Sequence, residues 1–212
     1  AKLNASVDDL DLNLEDFIQR VNSDLVGKVV NIASRTAKFI SKSGGTLSNT
    51  IADESLWQRF VDAGDVIAEL YENREFAKAQ REIMSLADSA NEYIANKAPW
   101  SLAKQEGTEQ EVLDICTLGI NMFRALLTYL KPVLPATAEK AEAFLGETLS
   151  WSEPVSFRGG QAINKFKPLM TRIEADKVAA IVADSQEALA AAQISTAPAA
   201  TGPLVDEPIA EE

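Results

Sequence analysis

Phe17–Ser43 reads FIQRVNSDLVGKVVNIASRTAKFISKS, and its periodicity decides the fold. Apolar residues recur at Phe17, Val21, Leu25, Val29, Ile32, Thr36 (through its methyl) and Phe39. Steps of three and four place them on one stripe of an amphipathic helix. Unbroken, that helix is about 40 Å long at ~1.5 Å per residue. Asn22-Ser23-Asp24 is a candidate break, because these side chains compete with the backbone for its hydrogen bonds. At ~100° per residue the opposite face carries Arg20, Lys28, Asn31, Arg35, Lys38 and Lys42 in one stripe.

Charge sets that stripe apart. Five bases and one acid, Asp24, give the stretch a net +4 on a chain of net −12, so the remaining residues carry −16. One basic face on an acidic chain suits an anionic partner that the rest of the surface repels. The same pattern also describes an ordinary solvated helix face, and charge alone leaves both readings open.

The chain has 212 residues with 46% apolar content, enough to bury one core. It is rich in Ala, Leu, Glu, Lys and Gln and has little period-two alternation, which predicts an all-α helical bundle of about five to six helices. A single cysteine, Cys116, excludes an intramolecular disulfide, and with no histidine a Cys/His zinc site lacks its ligands. No signal-peptide pattern is present, and no apolar run approaches the roughly 18 residues of a membrane span. These features predict a cytoplasmic protein that does not contact a membrane.

Residues 1–12 (AKLNASVDDLDL) begin without methionine and form no complete element, so they read as a junction within a longer polypeptide. Asn13 is a candidate N-cap, with Glu15 and Asp16 favourably placed in the first turn. Gly44-Gly45 ends the first helix. Helices are then predicted over Glu54–Glu72, from near Glu75 to before Pro99, from a Thr108/Glu111 capping box to Leu130, and over 135–145. Pro99–Lys104 is the connection between two of them. Ser150–Leu169 lacks helical period and reads as an extended crossing segment or a small hairpin. A last helix spans Glu174 to about Ala192, so residues 13–192 form the bundle with its extension. Residues 193–212, acidic and rich in Pro and Ala, read as a flexible linker.

No catalytic constellation appears. Without histidine the commonest general base and triad member are missing, and clustered acids such as Asp8-Asp9-Asp11 read as solvated faces. No catalytic residue and no metal ligand is assigned, and the chain reads as a binding module.

Three blocks carry a resemblance. They are DLNLEDFIQRVNSDLVGKVVNIASR (Asp11–Arg35), NEYIANKAPWSLAKQEG (Asn91–Gly107) and LLTYLKPVLPATAEKAEAFLG (Leu126–Gly146). In composition, order and spacing they closely resemble the anticodon-binding domain of bacterial methionyl-tRNA synthetases, from about Asp8 to Ala188. Sister synthetases for other aliphatic amino acids share a helical bundle here but not the pairing of VVNxASR with APWxxAK.

The resemblance implies a bundle that docks on the anticodon stem-loop of tRNA(Met) and reads its anticodon. It matches the family's anticodon-reading asparagine and arginine to Asn31 and Arg35. It matches the tryptophan that stacks on the wobble cytosine to Trp100, with Pro99 beside it. Lys28, Lys38 and Lys42, read from the basic stripe itself, are candidates for tRNA backbone contact. Cofactors would lie outside this chain: ATP and Mg²⁺, with zinc a further candidate, in a catalytic part that attaches methionine to tRNA. In many relatives a further domain after such a linker makes a homodimer. Relatives often carry asparagine at Gly27 and an acid at Ala95, so discrimination assigned to those two positions is not expected here. Ile40-Ser41-Lys42-Ser43-Gly44 is similar to the family's Lys-Met-Ser-Lys-Ser loop, but it closes a helix and has no His-Ile-Gly-His partner, so that reading is rejected. The alternative from a different class is a non-enzymatic helical scaffold that binds an acidic protein through the basic face.

Overall fold

The first apolar stripe folds as expected in its second half and departs in its first. The computed structural model describes residues 13–151 and 155–195. Asn13 caps α1 (Leu14–Arg20), its side chain accepting from the Asp16 N–H at 3.0 Å. The chain does not break at Asn22–Asp24. It widens instead into a ten-residue π-helix, Val21–Val30, and then tightens into α2, Asn31–Lys42. Hydrogen bonds spanning five residues rotate everything before Val30 relative to α2. This is why Ile32, Thr36 and Phe39 are buried as the stripe requires, whereas Val21 and Leu25 are half-buried and Phe17 is 45% exposed. Phe17, Leu25, Phe76, Met84 and the exposed Val133 line an apolar groove, and Arg20 stands there too, paired with Asp16, rather than in the basic stripe.

α2 ends as predicted. The Gly45 N–H donates to the Ile40 carbonyl, with Gly44 and Gly45 at φ 96° and 78°. α3 is Glu54–Glu72, capped by Asp53. α4 is Phe76–Lys97. The expected connection after it contains a single turn of helix, α5, Pro99–Leu102. α6 is Glu109–Leu130 and α7 is Pro135–Leu145. The predicted capping box does not form. Thr108 turns its hydroxyl backward to donate to the Leu102 and Gln105 carbonyls, at 2.7 and 3.0 Å, so it braces the preceding loop instead of the helix start.

α6 is the axis of the bundle, buried at every position from Ile115 to Leu130. By length and composition it is apolar enough to cross a membrane, contrary to the expectation that no segment is, but 89% of that window is buried inside the bundle. Its apolarity is that of a core helix covered by α2, α3, α4 and α7 on all sides. Gly119 permits the closest approach, since a Cβ there would lie 2.8 Å from the Thr36 methyl of α2 and 3.4 Å from Ile94 Cδ1 of α4. The Tyr129 hydroxyl donates to the Phe60 carbonyl at 2.7 Å and ties α6 to α3.

The segment after α7 is extended, and it crosses the bundle rather than forming a hairpin. Among the described residues its ladder contact is an antiparallel bridge between Thr46 and Ala162. Asn121 of α6 substitutes for a strand: its amide accepts from the Arg158 N–H at 2.7 Å and donates to the Arg158 carbonyl at 3.0 Å. Beside it Arg124 pairs with Glu147 at 2.6 Å and donates to the Ser156 carbonyl. The described residues up to Arg172 form one compact unit, and 173–195 form another containing α8, Ala175–Ser195. α8 therefore runs three residues into the stretch expected as linker. The remainder of that stretch, and the expected junction at 1–12, lie outside the described residues.

Candidate nucleic-acid interface

Two elements meet at the basic face. α2 supplies Asn31, Arg35, Lys38 and Lys42 at spacings of three and four, and the α4–α5 corner supplies Pro99 and Trp100. The corner has a local cause. Ala98 closes α4 in the left-handed region, φ 41° and ψ 58°, which costs a non-glycine residue about 1–3 kcal/mol. Pro99, with φ preset for a first helical position, then opens α5 and is itself buried. The Ser101 and Leu102 N–H groups both donate to the Ala98 carbonyl, which fixes the turn that carries Trp100.

The corner brings Trp100 to α2. The Arg35 guanidinium carbon stands 4.5 Å from the centre of the indole ring, a cation–π stack joining residues 65 apart in sequence. Both side chains are half-buried, Trp100 with one flank packed on the core. Lys38 is exposed, its ammonium 4.9 Å from the centre of the neighbouring Phe39 ring, and Lys42 is exposed at the end of the helix. Arg35, Lys38 and Lys42 pair with no acid among the described residues.

Lys28 and Asn31 are engaged elsewhere. The Lys28 ammonium is 2.9 Å from Asp88 of α4 and 3.8 Å from Asp24, so much of its charge is answered within the chain. Asn31 Nδ2 donates to Asn91 Oδ1 at 3.4 Å, and Asn91 Nδ2 donates in turn to the Ala87 carbonyl at 2.8 Å and the Lys28 carbonyl at 3.2 Å. Sequence reading missed Asp88 and Asn91. Their signal was present: they lie three apart on α4, on the flank of the buried Ala87 and Ala90.

Gly27 lies inside the π-helix, where an added Cβ would meet the Asn22 carbonyl at 3.1 Å. Ala95 is exposed on α4. Ile40–Gly44 is the closing turn of α2, with Ile40 wholly buried, which leaves no mobile loop of the kind that serves nucleotide chemistry. The face can thus stack a planar group, offer amide and guanidinium hydrogen bonds, and hold phosphate through two unpaired lysines.

Comparison with known proteins bears on the family and the fold. Residues 43–194 match the family model described as the anticodon binding domain of methionyl tRNA ligase, a span that includes Pro99 and Trp100 and begins after Asn31 and Arg35. Among solved structures, the apo, free-state form of Mycobacterium tuberculosis methionyl-tRNA synthetase is similar over 77% of this chain and 35% of that chain, at TM-score 0.69 and 21% identity. The same organism's enzyme in complex with methionyl-adenylate is similar over 74% of this chain and 33% of that one, at TM-score 0.67 and 22% identity. The chain spans about a third of the length of the solved structures it matches.

Proposed function

The chain belongs to the family of methionyl-tRNA ligase anticodon-binding domains, and from that membership we propose that it binds the anticodon stem-loop of the methionine tRNA and reads the wobble base. The observation that carries this reading is the stack of Arg35 on Trp100 within a basic face. Single-stranded bases are recognised by stacking on aromatic rings and by hydrogen bonds to their edges. The wobble cytosine, splayed out of the loop, stacks on Trp100, an interaction of roughly 1–3 kcal/mol. Asn31 Oδ1 has no donor among the described residues and accepts from the cytosine N4 amine, while Arg35 donates to a ring acceptor or to phosphate. Lys38 and Lys42 attract the backbone without regard to sequence, Lys28 less so because Asp88 holds it.

The longer protein, in this reading, is a cytoplasmic ligase that attaches methionine to its tRNA using ATP and Mg²⁺. Among the described residues no group of three or more Asp, Glu or Cys converges to hold a metal ion. Those groups, a zinc ion and any dimerising domain belong to the other two thirds of the protein.

The test is binding of the 212-residue chain to two hairpins, one with the methionine anticodon and one with the wobble cytosine changed to uracil. Tighter binding of the cytosine hairpin by tenfold or more supports the reading. Equal affinities that fall together with rising salt would leave only a phosphate-binding surface.

A further inference from the structure

The junction between the π-helix and α2 lies directly beneath Asn31, and one residue of α4 is bound to it. Asn91 Nδ2 donates to two carbonyls, Ala87 on its own helix and Lys28 on the last turn of the π-helix. The second of these bonds ties α4 to the backbone one turn before Asn31, where the π-helix gives way to α2. Two carbonyl partners can be served only by an amide nitrogen, so the orientation of the Asn91 amide is fixed. Its oxygen then faces Asn31, which must present Nδ2 to it, at 3.4 Å. Asp88, one turn earlier, holds the Lys28 side chain and keeps the same turn in place.

We propose that Asn91 is a positioning residue for base recognition, fixing which end of the Asn31 amide faces the wobble base. The inference rests on the reading of Asn31 as a base contact and assigns a cause to its specificity. With Nδ2 engaged by Asn91, Asn31 offers its oxygen, an acceptor that matches the N4 amine of cytosine and opposes the O4 acceptor of uracil. Without Asn91 the Asn31 amide turns either way and serves both bases. The Arg35–Trp100 stack does not depend on this orientation, so the two contributions separate.

The experiment measures hairpin affinities for the cytosine and uracil forms with the wild-type chain, Asn31→Ala, Asn91→Ala, Trp100→Ala, the Asn31/Asn91 double variant, and Trp100→Ala combined with Asn91→Ala. Circular dichroism and the thermal midpoint check the fold of each. The expected result is a cytosine-over-uracil preference reduced about tenfold in Asn91→Ala, mainly by better binding of the uracil form. The effect should be non-additive with Asn31→Ala and additive with Trp100→Ala. Asn91→Asp keeps the acceptor for Asn31 Nδ2 and is expected to retain more of the preference than Asn91→Ala. If Asn91→Ala weakens both hairpins equally, Asn91 only supports the fold and the proposal is overturned. If Asn91→Ala lowers the preference but adds fully to Asn31→Ala, it acts by another route and the proposal is likewise overturned. If Asn31→Ala leaves the preference intact, the base-contact reading of Asn31 fails and takes the proposal with it.

Discussion

In the free chain a guanidinium already lies on Trp100, so a base that stacks on that ring face must displace Arg35. Magnitudes favour the exchange. A partly exposed cation–π contact is worth about 0.5–1 kcal/mol, against roughly 1–3 kcal/mol for a stacked base. Arg35→Lys keeps the charge and loses the planar fork. It is expected to lower the preference for the cytosine hairpin while leaving the salt dependence unchanged. Lys38→Ala and Lys42→Ala should do the reverse, each flattening the slope of log affinity against log salt by just under one. A second prediction concerns Cys116. Burial pushes its thiol up to about 12, with Lys38 pulling weakly in the opposite direction. Its thiol titrates near the ordinary 8.5 when unfolded, so the unfolded state binds fewer protons between those values. Stability should therefore fall as pH rises from about 8.5 towards 12, and less steeply in Cys116→Ala. At pH 8 a maleimide should label Cys116 only after denaturation, and rapid labelling of the native chain would contradict its burial.

Among elements, the α2–α6 contact is the tightest constraint. Gly119→Ala gains up to ~1 kcal/mol in helix propensity, but its methyl meets the Thr36 methyl at 2.8 Å, and overpacking of this kind costs about 1–3 kcal/mol. A lower thermal midpoint is expected. Adding Thr36→Ser, which removes that methyl and keeps the hydroxyl that donates to the Ile32 carbonyl, should restore most of it. No restoration would place the strain elsewhere. Gly119 was legible in the sequence as an inward position because it sits on the 3.6-residue stripe of α6. The bounds of α3 were legible for a similar reason, from the period of its apolar residues. The π-helix was not. Asn22, Ser23 and Gly27 signalled a weak stretch, but periodicity cannot distinguish a break from a widened turn, and the rotation it causes moved Phe17 and Arg20 off their assigned faces. Thr108 misled differently: its hydroxyl had two nearby carbonyls to choose over the helix start, and sequence spacing does not rank acceptors.

For the whole molecule, the basic face and its two flanking groups came from separate parts of the chain. The stripe on α2 could be read from its own spacing, and the match of Asn31, Arg35 and Trp100 came from the family resemblance. That Trp100 meets Arg35, and that Asn31 is held by Asn91, depended on how α4 crosses α2, which no local pattern encodes. On an acidic molecule one basic face attracts an anionic partner that the rest of the surface repels. Adenylation is expected to be absent from the 212-residue chain, and methionine-dependent exchange of pyrophosphate into ATP by a pure preparation would contradict that assignment. The central claim is that Trp100 reads the wobble base, and one comparison tests it directly. Hairpins with cytosine and with uracil at the wobble position are titrated against wild type, Trp100→Phe and Trp100→Ala, each shown to be folded. The prediction is an affinity for the cytosine hairpin that survives in part in Trp100→Phe and falls ten- to hundredfold in Trp100→Ala, as loss of a stack worth roughly 1–3 kcal/mol requires. A folded Trp100→Ala variant with the wild-type affinity would show that the tryptophan only plugs the corner between α4 and α6.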